Sequence, residues 1–162
     1  MREAQALNGV ARFHQTFGMP ILEQPTIPAE ERCKLRINLL QEELDELRDA
    51  IRDNDLVEVA DALCDLQYVL SGAVLEFGLG QQFADLFDEV QRSNMSKVCS
   101  TREIAERTVE YYRREKGIEG HVVERDGRYL VYRTSDQKVL KSVEYSPADL
   151  PGRLNTAPSH SV

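Results

Sequence analysis

The sequence has no tryptophan, 7% aromatic residues and three cysteines, Cys33, Cys64 and Cys99. The cysteines are odd in number and far apart, with no Cys-x-x-Cys pair. That pattern offers neither a zinc site of ordinary spacing nor a disulfide framework. No apolar run approaches the ~20 residues a helix needs to cross a bilayer, which argues against a membrane partner. The opening stretch MREAQALNGVARFHQ lacks the apolar centre of a secretion signal. Together with free thiols, this predicts a cytoplasmic protein. Basic residues are in deficit: 20 Lys and Arg stand against 28 Asp and Glu, a net charge of −8. Such a balance disfavours nucleic acid held by a broad basic patch. There is no internal repeat, and 162 residues suit one domain with a short appendage.

What is present is mostly helical patterning. Residues 2–17 place Leu7, Val10, Ala11 and Phe13 on one face. GMPILEQPTIP, with three prolines and a glycine, reads as an extended loop. Pro28 opens a long helix with Glu30 and Glu31 in its first turn, running to about residue 53. DND breaks it, and a second long helix covers about 55–77 before FGLG. A third spans about 81–94, with Phe83, Leu86, Phe87 and Val90 at helical spacing. Thr101 caps a last helix over 102–116, which ends at Gly117. HVVERDGRYLVYRT alternates around Asp126-Gly127 as a β-hairpin does. KVLKSVEY suggests a third short strand, SPADL a capped helical turn, and residues 151–162 a flexible tail.

The acids of LLQEELDELRDAI separate by bearing, at 100° per residue. With Glu43 at zero, Leu47, Leu40, Ile51 and Leu44 lie within about 100° on one side, and Ala50 and Leu39 within about 40° on the other. Glu43 is thus inside the apolar arc and Glu46 at its edge. Asp45, Arg48, Asp49 and Arg52 form an ordinary solvated face, and Glu42 is intermediate. The next helix, VADALCDLQYVLSGAVLEF, is apolar nearly all round and therefore predicted to be buried. Its acids Asp61 and Asp65 sit one turn apart, with Glu58 a turn earlier on the same stripe and Glu76 far along it. Buried carboxylates on facing helices repel and need a cation. Arg36 shares the bearing of Glu43, but one arginine cannot balance four acids. Oxygen ligands without histidine or cysteine suit Mg²⁺, or Mn²⁺. The competing explanation is acids paired with arginines across a dimer interface. Di-iron bundles use Glu-x-x-His, which these helices lack.

EELDEL, followed by DALCDLQYV and RSNMSK, resembles the all-α nucleoside triphosphate pyrophosphohydrolases. This is the MazG-like superfamily that includes dimeric dUTPases, dCTP pyrophosphatases and phosphoribosyl-ATP pyrophosphohydrolase. The resemblance covers about residues 10–100, and KVLKSVEYSPADL is similar to a tail of one bacterial and phage branch. It implies an EExxE motif on Glu42, Glu43 and Glu46, then ExxD on the next helix. Glu58 and Asp61 fit ExxD literally. The aromatic that follows the family motif matches Tyr68, which places the aspartate at Asp65 and leaves Ala62 where the glutamate belongs. Asp61 and Asp65 are preferred as metal ligands with Glu43 and Glu46, and Glu58 is kept as an auxiliary.

The implied reaction is (d)NTP plus water to (d)NMP plus pyrophosphate, with Mg²⁺ turning an acidic pocket into a polyphosphate receptor. Glu42 is the candidate for orienting or deprotonating water, with a solvated role as its rival. Asn94 and Lys97 are candidates for base or sugar and for phosphate, Asn94 also being a plain helix C-cap. Lys141 and Tyr145 are candidates for a closing lid, or ordinary hairpin surface, His14 for the base pocket, and Arg36 for a further substrate contact. His121 and His160 have no partner pattern. The expected fold is all-α: a MazG-like antiparallel helical bundle over 1–117, a C-terminal β-hairpin and helical turn over 118–150, and the tail. The bundle is expected to be a homo-oligomer, dimer or tetramer, because a second copy would cover the apolar helix. The expected role is nucleotide-pool house-cleaning on dUTP or a related dNTP. The rival is a non-catalytic helical dimer or partner-binding module that has lost activity.

Overall fold

A computed structural model of the chain describes residues 2–155. Six helices and one hairpin follow in order: α1 (Ala6–Phe17), α2 (Glu30–Arg52), α3 (Leu56–Glu76), α4 (Phe83–Met95), α5 (Arg102–Lys116), β1 (Gly120–Arg125), β2 (Arg128–Arg133) and α6 (Leu150–Asn155). They form two compact units, one ending at Phe83 and the other beginning at Ala84. The division falls in the first turn of α4, well before the change of composition near residue 118. Among the described residues, no helix is long and apolar enough to cross a membrane.

In the first unit α2 and α3 pack against each other and α1 packs on α3. The break between the long helices has a local cause. Asn54 takes a left-handed conformation (φ 55°), and the Asp55 carboxylate accepts from the N–H groups of Val57 (2.9 Å) and Glu58 (3.2 Å). That caps two of the donors a helix start leaves unpaired. The proline-rich loop is tied to the end of α3: the Leu22 N–H donates to the Leu75 carbonyl at 3.0 Å, and that of Thr26 to Phe77 at 3.1 Å. Gly78 makes this approach possible. Its φ is +68°, and a Cβ there would lie 1.9 Å from the Gln24 carbonyl oxygen.

The centre of this unit is polar. Glu76 (1% exposed), His14 (2%) and Arg36 (4%) are among its most buried side chains. Arg32 grips Glu76 with two hydrogen bonds, one of them Nε to Oε2 at 3.1 Å, and Arg36 donates to the same carboxylate. Arg36 also donates to His14 Nε2 at 3.3 Å. An arginine can only donate, so Nε2 must accept and Nδ1 carries the proton, which goes to the Pro20 carbonyl at 2.8 Å. Gly72 leaves space for this network: a Cβ there would be 2.6 Å from Arg36 Nη1. Burial pushes the Glu76 carboxyl up, and the Arg36 and Arg32 hydrogen bonds more than reverse it, leaving it below its ordinary value.

In the second unit α5 packs on both strands. The Thr101 hydroxyl caps α5, and Gly117 ends it in the left-handed region, as predicted. β1 and β2 pair antiparallel from Gly120–Arg133 to Arg125–Arg128. The outer edge of β2 is covered by single bridges from Cys99 to Tyr129 and from Val139 to Tyr132, so the expected third strand is only a bridge. Cys99, Ala105, Val131 and Leu140 form the core. The expected tail also needs correction. Leu150–Asn155 is helical, with the Asp149 side chain accepting from the Gly152 N–H at 3.0 Å. The rest of that segment, His160 included, lies outside the described residues.

Candidate metal and nucleotide site

Helix register positions the acidic residues. Arg36 near the start of α2 meets Glu76 at the end of α3, so the helices run antiparallel. Counting from that contact, Glu43 lies opposite about Val69 and Glu46 opposite about Leu66, at equal rise along both helices. The EExxE segment therefore approaches the stretch of α3 that carries Asp65 and Asp61. Electrostatics agree. The Glu43 carboxyl is pushed above its ordinary value, first by burial and then by the negative charges of Glu46, Asp65, Glu42 and Asp61. Glu58 lies in the first turn of α3, one turn before Asp61 and two before Asp65.

Glu43 and Asp65 are half-buried, whereas Glu42, Glu46, Glu58 and Asp61 are exposed. The other acids of α2 are matched. Arg48 pairs with Asp45 at 2.6 Å and Arg52 with Asp49 at 2.7 Å, both exposed surface contacts, as the bearings predicted. Among the described residues none of the six candidate side chains has an ion-pair partner, and Arg36 is held by Glu76 instead. Also among the described residues, no three acidic, histidine or cysteine side chains converge as a finished metal cage. A loose cluster is the arrangement expected of like charges without a counter-ion. The donor set fits a hard divalent cation: four carboxylates, Glu43, Glu46, Asp61 and Asp65, and no nitrogen or sulfur ligand.

Two expectations change here. Arg36 and His14 were expected at the substrate, but both are buried inside the fold, His14 bonded to Pro20 and Arg36 and Arg36 bonded to Glu76 through Nη2, its Nε having no partner among the described residues. Their burial and mutual hydrogen bonds leave them a structural role. The prediction that residues 59–77 are buried holds for the last six residues of α3, Ser71–Glu76, and fails before them, where Leu63 is 52% exposed and Leu70 42%. Ala62, where the family motif has glutamate, is buried.

One group was missed. Phe13, Phe17 and Tyr68 form an aromatic cluster, with ring centroids 4.4 Å apart for Phe13–Phe17 and 5.6 Å for Phe13–Tyr68. All three are exposed, and Tyr68 is three residues beyond Asp65. The i,i+4 spacing of Phe13 and Phe17 was the available signal, but it reads equally as a core stripe.

The remaining candidates belong to the second unit. Lys97 Nζ donates to Asn94 Oδ1 at 2.8 Å. Lys141 Nζ lies 4.4 Å over the Tyr145 ring, and the Tyr145 hydroxyl is 2.9 Å from that of Ser93. The Tyr145 phenol is held below its ordinary value by the Ser93 hydrogen bond and then by Lys141 and Lys97.

Acids on two facing antiparallel helices are the arrangement that the resemblance to all-α pyrophosphohydrolases leads one to expect. The chain belongs to the phosphoribosyl-ATP pyrophosphohydrolase family, whose profile matches residues 10–94, just over half of the sequence. It is also similar to the uncharacterized protein L479 of Acanthamoeba polyphaga mimivirus, at 24% identity across 86% of this chain and 92% of that protein.

Proposed function

We propose that the chain is a Mg²⁺-dependent nucleoside triphosphate pyrophosphohydrolase, releasing the monophosphate and pyrophosphate, with Mn²⁺ able to substitute. The observation that carries this reading is the set of acids around Glu43 on facing helices, none of which has an ion-pair partner among the described residues. Glu43, Glu46, Asp61 and Asp65 would hold the metal, with Glu58 outside the principal set. Bound there, the metal would neutralise the polyphosphate and acidify a water. Glu42, exposed beside the ligand pair, would take a proton from the attacking water or orient it toward the α phosphorus. The cluster of Phe13, Phe17 and Tyr68 offers π faces on which a nucleobase can stack. A house-cleaning role on dUTP or a related dNTP follows from the resemblance. A homo-oligomer would cover the exposed first half of α3.

Purified protein incubated with a panel of NTPs and dNTPs plus Mg²⁺ should yield monophosphate and pyrophosphate. Glu46→Gln and Asp65→Asn should each abolish turnover without loss of helicity. Activity that survives Asp65→Asn but not Glu58→Gln would show that the ligand register is wrong. Lys97→Ala and Lys141→Ala, in the same assay, test these two lysines as phosphate contacts. The second reading, a module that has lost catalysis, draws on Ala62. It gains if no nucleotide is cleaved and calorimetry detects neither Mg²⁺ nor Mn²⁺.

A further inference from the structure

Arg125 and Arg128 are the last register pair of the β1–β2 ladder before its turn. Residues directly opposite on antiparallel strands project from the same face, and like charges so placed repel. Among the described residues neither arginine has an ion-pair partner, as is also true of Arg107 and Arg114 on α5, whereas Arg92, Arg102, Arg113 and Arg133 in the same unit each meet a carboxylate. The nearest acid on β1, Glu124, is taken by Arg102 at 2.9 Å.

The face that carries this pair is not the core face. Val122 and Val131, on the other side of the hairpin, pack with Cys99 and Ala105. On the arginine side a cavity of about 340 Å³ opens, floored by Met95, Val98 and Leu130, with Arg125, Arg128 and Asp126 also lining it. Met95 keeps 47% of its surface exposed, so the floor is apolar but uncovered. Its volume lies at the lower end of the range for small-molecule pockets.

We propose that this cavity binds a small organic phosphate. Two guanidinium forks side by side match the oxygens of a phosphate monoester dianion, which would also remove the repulsion between them. The Met95, Val98 and Leu130 floor receives the apolar body of the ligand. Asp126 leaves the site with one net positive charge and can accept from a ligand hydroxyl. None of the acids around Glu43 takes part, so binding needs no divalent metal and stands apart from the proposed hydrolysis.

The test titrates phenyl phosphate, inorganic phosphate and benzyl alcohol separately into the full chain in EDTA, following amide N–H resonances. Phenyl phosphate should shift Val98, Asp126 and Leu130 saturably and bind more tightly than inorganic phosphate, and benzyl alcohol should not bind. Arg125→Gln/Arg128→Gln should weaken phenyl phosphate by about tenfold or more, and Glu43→Gln should leave its affinity unchanged. Arg128→Gln alone, with the remaining spectrum intact, gives the same reading if the double variant fails to fold. Equal affinity in wild type and the arginine variants overturns the site. Shifts confined to other residues, or binding of benzyl alcohol as tight as that of phenyl phosphate, do the same. Inorganic phosphate matching phenyl phosphate removes the apolar floor, and with it the organic ligand.

Discussion

At the scale of single residues, one carboxylate has opposite consequences depending on its neighbours. Glu76 is fully buried and held by two arginines, while Asp49 is an exposed partner of Arg52. Removing one partner of a buried pair strands charge away from water, whereas an exposed pair contributes little. Glu76→Gln should therefore lower unfolding free energy in urea by about 3–5 kcal/mol, and Asp49→Asn by less than about 1 kcal/mol. Similar losses for the two variants would contradict the clamp. The bearings of α2 separated Asp45 and Asp49 from Glu43 correctly, because those bearings follow from helix geometry alone. The partners of Arg36 and His14 were not legible. They depend on a contact between residues 36 and 76 and on space left by Gly72, neither of which any local pattern encodes.

At the scale of elements, a segment of the second unit is strapped to α4. Glu89, nearly buried, accepts two hydrogen bonds from Arg92 (2.9 and 2.7 Å) and one from the Asp149 N–H (2.8 Å). Ser96 Oγ accepts from the Ser146 N–H at 2.9 Å. Hydrogen bonds from Arg92 and the Asp149 backbone hold the Glu89 carboxyl down at about 2, against an ordinary value of 4.5. A depressed carboxyl contributes stability above its unfolded value and loses it as pH falls through its folded one. The strap should thus stay docked at pH 4 and release only as pH approaches about 2. Glu89→Gln should loosen it already at neutral pH. Amide exchange at residues 146–149 measures both, and a release near pH 4 would count against the latch. The helices themselves were readable because caps, prolines and period are local signals. KVLKSVEY reads as a strand by composition, but its single bridge and its contacts with α4 and α5 decide its conformation.

At the scale of the whole molecule, charge is unevenly divided. Residues 1–83 carry 15 acidic and 7 basic side chains, and residues 84–162 carry 13 of each. The entire net charge of −8 belongs to the stretch that holds the candidate ligands. The same stretch leaves Leu56, Val57, Leu63 and Ile37 more than half exposed, an amount of uncovered apolar surface that favours self-association. Sedimentation should find a dimer or tetramer, and Leu63→Lys should shift it toward monomer. A wild-type monomer at micromolar concentration would remove the oligomer from the proposal. An apolar pattern all round a helix identifies surface that must be covered, but it does not reveal whether its own chain or another copy does the covering. For that reason α3 could be recognised as a core-type helix from sequence while its first half stands open in the single chain.

The Arg36–Glu76 clamp has a consequence for how such a sequence can diversify. Six residues separate Arg36 from Glu43, and the clamp fixes where the count begins. Exchanging Ile37, which is two-thirds exposed, for another helix former leaves that count intact. Inserting or deleting a single residue between the clamp and Glu42 turns every downstream carboxylate by about 100° and carries the acidic motif off its seam. Homologues should therefore vary freely in the letters of this segment and hardly at all in its length.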